Sequence, residues 1–184
     1  MAKGDQAEIA EQIRLFGKNL RRARLDAGLT QVQLAAAAPL DRAAISRLEC
    51  GERAPDLATI LRISAALKLA PCDLLRGIGP ADTPHPTRPQ RPLSDGPPGA
   101  HFGANLKRAR TRADISQERL ALDAKVDRAA ISVYENGGRE PNLRTVLKLA
   151  FKLDIRPEVL LEGVQAKIHR SGQAKPQSTD GLGG

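Results

Sequence analysis

The chain has 184 residues, 29 Lys and Arg against 21 Asp and Glu, and a formal charge of +8, so a polyanionic partner is expected. Aromatics make up 2% with no Trp, which leaves a core of Leu, Ile, Val and Ala and favours helices over sheets. No apolar run approaches the roughly 18–20 residues of a membrane span, MAKGDQAEIAEQ lacks the apolar stretch of a secretory signal, and Cys50 and Cys72 show neither a disulfide-framework nor a zinc pattern. The expectation is a protein that stays in the cytosol and makes no membrane contact.

An internal repeat organises the chain. Residues 16–78 align without a gap on residues 102–164 at an offset of 86, with 30 of 63 positions identical. FGKNLRRAR matches FGANLKRAR, and LDRAAISRLECGERAPDL matches VDRAAISVYENGGREPNL. The stretch between them, residues 79–101, holds seven of the 13 prolines and few apolar side chains, and reads as a flexible linker. Its charge is neutral, whereas the repeats carry +4 and +3, so the basic character sits in both folded units. Residues 1–15 read as an N-terminal helical extension and residues 165–184 as a disordered tail.

In chain order, Ile9, Ile13, Phe16, Leu20 and Ala23 recur at helical spacing and predict a helix over about residues 6–27, ended by Gly28. Thr30 caps a second helix, QVQLAAAA, and Asp41 a third, RAAISRLE, closed by Gly51. Pro55 and Asp56 open a fourth, LATILRISAALKL, and Pro71 a fifth short piece, CDLLRG. The second repeat carries the same signals: Ser116 before QERLALD, Asp127 before RAAISVYE, Pro141-Asn142 before LRTVLKLAFKL, and Pro157 before EVLLEG. No alternating strand pattern occurs, so the expected fold is all-α.

Two short helices separated by three or four residues have helix-turn-helix spacing, over residues 31–50 and 117–136. LTQVQLAAAAPLDRAAISRLECGERAPDLATILRISAALKLAPCDLL resembles the Cro/phage-repressor-like (XRE-type) helix-turn-helix domain nearly position for position. ISQERLALDAKVDRAAISVYENGGREPNLRTVLKLAFKLDIRPEVLL, with its Glu-Asn-Gly after the third helix, resembles it more closely still. The resemblance implies two lambda-repressor-like five-helix DNA-binding domains, each laying its third helix in the major groove. Base reading then falls on Arg42, Ala43, Ser46 and Arg47, and on Arg128, Ala129, Ser132 and Val133. Helical spacing puts each set on one face. Arg42 can offer a fork to guanine, Ser46 can bond either way, and Ala43 suits a thymine methyl.

The plainer alternatives are phosphate clamps or solvated surface for Arg42 and Arg128, small size for Ser46 and Ser132, and phosphate contact for Arg47. Gln31 and Gln117, at the start of the second helices, are expected to meet phosphate, as are Arg53 and Arg139 after the third. The basic runs Arg21, Arg22, Arg24 and Lys107, Arg108, Arg110 read mainly as solvated faces. Leu34, Ile45, Leu120 and Ile131 read as core, and Glu49 and Glu135 as bonding within the domain. The turn before the third helix, where this family usually has Gly, holds Pro39 in the first copy and Lys125 in the second; a proline ring disfavours positive φ. Cys50 stands where the second copy has Asn136, as an inert thiol or an oxidation sensor. His85, His101 and His169 fall outside the bundles with no metal spacing, and no catalytic, metal or cofactor role is expected.

The expected function is that of a transcription regulator, a repressor reading two similar half-sites on double-stranded DNA. The competing reading is a protein-interaction module, such as an antitoxin or antiactivator, bound to another regulatory protein. Half-sites on one duplex face lie ~34–36 Å apart. A linker of about 22 residues spans ~25 Å as a coil and ~68 Å extended, so an intramolecular pseudo-dimer is possible, as is a homodimer with four reading heads.

Overall fold

A computed structural model describes residues 3–80 and 97–164, with side chains from residue 6. The described residues are helical, and their one pairing of extended backbone is an isolated bridge. The first repeat comprises α1 (Lys3–Asp26), α2 (Gln31–Ala37), α3 (Arg42–Glu49), α4 (Leu57–Leu67) and a 3₁₀ turn, Pro71–Leu75. The second comprises α5 (Pro98–Arg112), α6 (Gln117–Ala124), α7 (Arg128–Glu135), α8 (Leu143–Lys152) and α9 (Pro157–Leu160). The all-α expectation with two five-element units holds.

The capping chemistry sits where the sequence puts it. Thr30 accepts from the Gln33 N–H while the Gln33 side chain accepts from the Thr30 N–H, closing a capping box at the start of α2. Asp41, Asp56, Ser116, Asp127 and Asn142 cap α3, α4, α6, α7 and α8. The C-terminal ends repeat the backbone with different residues. Gly28 and Asp114, Lys68 and Asp154, and Pro39 and Lys125 are pairs at the 86-residue offset, and all six have positive φ. Pro39 is the misfit, at φ +24° against the −65° its ring prefers. α2 accordingly stops at Ala37, one residue short of the expected QVQLAAAA and of its counterpart α6, because the residue before a proline is disfavoured in the helical region. α4 also ends early, at Leu67, with Lys68 left-handed.

The second repeat starts before its expected boundary. α5 begins at Pro98, so residues 98–101 belong to a helix and not to the linker, and His101 is buried within it rather than lying outside the bundle. Pro97 and Pro98 make this possible: proline is well suited to the first turn of a helix, where its missing N–H has no partner to lose. The remaining linker, residues 81–96, the tail 165–184, His85 and His169 lie outside the described residues.

Each unit closes around the same apolar set: Phe16, Leu20, Leu34, Ile45, Leu57 and Ile60 in one, Phe102, Leu106, Leu120, Ile131, Leu143 and Val146 in the other, all fully buried. Asn19 donates to the Leu74 and Arg76 carbonyls at 3.1 and 2.9 Å, and Asn105 to those of Leu160 and Glu162 at 3.2 and 2.8 Å, tying first helix to fifth element. First and third helices approach closely enough to require glycine. A Cβ on Gly17 would stand 2.6 Å from the Leu48 and Glu49 carbonyl oxygens, and one on Gly103 would press on those of Tyr134 and Glu135.

The two units also pair with each other. The Leu57 N–H donates to the Pro141 carbonyl at 3.1 Å and the Leu143 N–H to the Pro55 carbonyl at 2.7 Å, with Asp56 opposite Asn142 in an antiparallel bridge. Every partner lies at the repeat offset from its mate's counterpart, so the contact is isologous, as across a two-fold axis in a dimer. The 3₁₀ turn Pro71–Leu75 meets α9, its own counterpart, in the same sense. One contact breaks this symmetry. α1 packs against α8, and its extra N-terminal turns carry the buried Ile9 and Ile13. α5 starts at the position equivalent to Gln12 and carries no such turns. The buried residues of both repeats form a single core cluster.

Candidate nucleic-acid interface

The second and third helices of each unit are held by an inward-facing polar network. In the first unit Arg24 Nε and Nη2 donate to Glu49 Oε1 and Oε2 at 2.6 and 3.1 Å, Arg24 Nη1 to the Leu29 carbonyl at 2.7 Å, and Gln31 Nε2 to Glu49 Oε2 at 3.0 Å. The second unit repeats it: Arg110 meets Glu135 at 2.6 and 3.1 Å and the Ile115 carbonyl at 2.8 Å, and Gln117 Nε2 meets Glu135 Oε2 at 2.7 Å. These are bidentate, charge-assisted bonds. They pin the end of the first helix and the start of the second to the end of the third. Hydrogen bonding to Glu49 holds the Arg24 guanidinium above its ordinary pKa. Burial alone would raise the Glu49 carboxyl, yet the bonds from Arg24 and Gln31 bring it below its usual range.

This network corrects the reading of Arg24 and Arg110 and adds a structural role to Gln31 and Gln117. Arg24 and Arg110, read as part of basic solvated runs, turn inward. Gln31 and Gln117, expected at phosphate, give an amide N–H to Glu49 and Glu135 and are half-buried. Their first role is structural, with the amide oxygen and second N–H left over. The expectation that Glu49 and Glu135 bond within the domain holds. Arg24, Gln31 and Glu49 recur unchanged at the 86-residue offset, but so does the exposed Arg22 as Arg108, so the repeat alone does not mark which arginine turns inward.

With the interior so fixed, the third helices present one face outward. Arg42, Ala43 and Arg47 on α3, and Arg128, Ala129 and Val133 on α7, are exposed; Ser46 and Ser132 are half-buried between them. Ile45, Leu48, Ile131 and Tyr134 point the other way into the core. Arg53 and Arg139 are exposed on the loops that follow. The structure therefore brings the candidate base-reading residues of each unit onto a single accessible helix surface.

The two surfaces differ at one detail that sequence reading did not single out. Arg128 Nε lies 2.6 Å from Glu118 Oε1, so α7 is bridged to α6 by an exposed ion pair. In the first unit the place of Glu118 is taken by Val32, 59% exposed, and Arg42 has no ion-pair partner among the described residues. The Glu118 carboxyl is held below its usual range by its own backbone N–H at the helix start and then by Arg128. Among the described residues no cluster of His, Cys, Asp and Glu could hold a metal, and no helix is long and apolar enough to cross a membrane.

A family model described as Helix-turn-helix matches the chain twice, at residues 20–74 and 106–160, the same segment of each repeat. The chain belongs to the Cro/phage-repressor-like helix-turn-helix family of transcriptional regulators, in two tandem copies. It is similar to the SPbeta prophage-derived uncharacterized HTH-type transcriptional regulator YonR of Bacillus subtilis, 38% identical over 67 residues, covering 36% of this chain and 62% of that protein. It is also similar to the uncharacterized HTH-type transcriptional regulator YqaE of the same organism, 34% identical over 62 residues, 34% of this chain and 53% of that one. The matched segments thus span between half and two thirds of these relatives. Among solved structures, the restriction-modification controller protein C.AhdI from Aeromonas hydrophila matches 34% of this chain and 94% of its own length at 37% identity and a TM-score of 0.33.

Proposed function

We propose that the chain is a sequence-specific double-stranded-DNA-binding regulator, a repressor that occupies promoter DNA and reads two similar half-sites with α3 and α7. The observation that carries this reading is the pair of outward faces: Arg, Ala and Ser in the same places on two third helices, in units joined by an isologous contact. Arg42 and Arg128 are the candidates for guanine, Ala43 and Ala129 for a thymine methyl, Ser46 and Ser132 for either edge. Arg53 and Arg139, exposed on the loops that follow, are the candidates for phosphate.

The contact through Pro55–Leu57 and Pro141–Leu143 makes one chain the equivalent of a dimer. Paired units need no second chain to span two half-sites, so operator occupancy rises with the first power of protein concentration, and the tether adds avidity without a dimerisation step. A protein-interaction role, as antitoxin or antiactivator, has no comparable feature in its favour.

The test is a gel shift on the chain's own upstream region across a salt series, with footprinting and the mass of the complex. A footprint over two similar half-sites, one chain per operator, and a loss of roughly 10³–10⁵ in affinity between 50 and 200 mM salt are expected if some 6–10 phosphates are contacted. Equal binding to random DNA rejects the proposal. Arg42→Ala and Arg128→Ala should each relax specificity in one half-site; uniform loss on every sequence recasts both as phosphate contacts.

A further inference from the structure

RAAIS is identical on α3 and α7, so a reading confined to those residues gives two identical half-sites. What surrounds each arginine is not identical. Arg128 is engaged through Nε by Glu118, whereas in the first unit the exposed Val32 takes the place of Glu118 and Arg42 makes no ion pair among the described residues. Two further exposed positions differ: Val133 stands where the first copy has Arg47, and Arg119, paired with Asp123 at 2.7 Å, where it has Gln33.

The geometry of a guanidinium decides what the ion pair does. It carries five N–H donors in a fixed plane. With Nε committed to Glu118, the Nη1/Nη2 end remains to meet a base, and this is the fork that matches guanine O6 and N7. The side-on edge, which would suit a phosphate, is taken. A free arginine must lose its rotamer freedom when it docks, and it can choose phosphate or base; one held by a carboxylate has done most of that before binding. The carboxylate also carries a negative charge beside the α6 N-terminus, where phosphate would approach, so it weakens binding that ignores sequence.

We propose that Glu118 is a positioning residue that sets the specificity of the second head, presenting the Nη1/Nη2 end of Arg128 to guanine, so that two heads with the same RAAIS helix read half-sites of unequal stringency. The inference rests on the DNA-reading proposal above. It makes the operator a strict half-site under α7 and a permissive one under α3, where Arg47 and the unpaired Arg42 add affinity that depends less on sequence.

The experiment is selection of bound duplexes from a random DNA pool by the full chain and by Glu118→Val, Glu118→Gln and Val32→Glu, with thermal melts as folding controls. Position 118 is exposed and valine is what the first copy carries there, so folding should be unaffected. The wild type should select two unequal half-sites. Both Glu118 variants should lower the guanine preference under α7 by roughly three- to ten-fold, the worth of one preordered side chain, and leave the other half-site unchanged. Val32→Glu should raise the guanine preference under α3. An unaltered base preference in the Glu118 variants, or a uniform rise in affinity on all sequences, overturns the proposal and leaves Glu118 as a surface charge. A wild type that selects no sequence at all overturns the DNA-reading proposal itself, and this one with it.

Discussion

The two repeats are alike inside and unlike outside. Arg24, Gln31 and Glu49 form the same network as Arg110, Gln117 and Glu135, with distances within 0.3 Å of each other. Around the third helices, by contrast, Val32, Arg47 and Cys50 stand opposite Glu118, Val133 and Asn136. A buried ion pair tolerates no partial change, because removing one member leaves an unpaired charge in the interior. An exposed side chain beside a reading helix can change with little effect on stability, and so divergence collects there. The comparison teaches that the copies share a scaffold and differ in what they are presented to read.

The strongest way to break the interior half of that comparison is to remove one carboxylate. Glu49→Ala or Glu135→Ala leaves a buried guanidinium unpaired and should cost about 3–5 kcal/mol, read as a shift of the urea midpoint. Because the two units share one core, each variant should still melt in one step; two separated transitions in either variant would show that the units fold independently.

Gly17→Ala and Gly103→Ala should each cost about 1–3 kcal/mol by overpacking the approach of the first helix to the third. The second should cost more, since its added methyl lies closer to backbone oxygens that cannot move away. Equal melting temperatures for the two variants would count against the difference in packing.

Pro39→Gly sharpens the comparison of the turns. It relieves a ring held at φ +24° and restores a residue free to adopt the conformation of Lys125, at φ +49°. A gain of about 1 kcal/mol is expected, the size of one strained backbone position less the added freedom of the unfolded chain. A lower melting temperature would mean that proline's stiffening of the unfolded chain outweighs the strain.

The smallest effect is in pH dependence, and it separates the scaffold from the contact between units. Glu49 and Asp56 are held below their usual pKa: burial opposes this, but the Arg24 and Gln31 bonds win for Glu49 and the Thr59 bonds for Asp56. The folded state thus prefers both ionised, and their contribution is present above the ordinary carboxylate range and lost as pH falls through the lowered values. Glu140 behaves oppositely. Burial, then the charge of Asp56 across the contact, raises its pKa, so its ionisation opposes folding as pH climbs through the raised value. Glu140→Gln should therefore add stability at pH 7, no more than about 1 kcal/mol after solvent screening, and nothing well below the carboxylate range. A gain of the same size at both pH values would refute the electrostatic cause.

Much of the scaffold was legible in order of appearance. Caps, proline positions and the 3.6-residue apolar spacing placed the helices to within a few residues, because those signals act over one turn of backbone. Boundaries failed where a neighbour decides: Pro39 shortened α2, and Pro97-Pro98 started α5 inside what composition alone reads as linker. The outward faces of α3 and α7 were legible as well, since helical spacing fixes which side chains share a side once the core is known. Arg24 was not, because whether a basic side chain turns to water or to a carboxylate 25 residues away depends on how three helices meet.

The sequence by itself determined two copies of one helical unit, their caps, their cores and the positions that face outward; these follow from local backbone preferences and apolar periodicity. Only the tertiary structure decided that Gln31 and Gln117 brace the interior, that Arg128 is held by Glu118 while Arg42 is not, and that the units pair through Pro55–Leu57 and Pro141–Leu143. Each of these depends on groups far apart in the chain arriving within 3.1 Å of one another, and no local pattern encodes such an arrival.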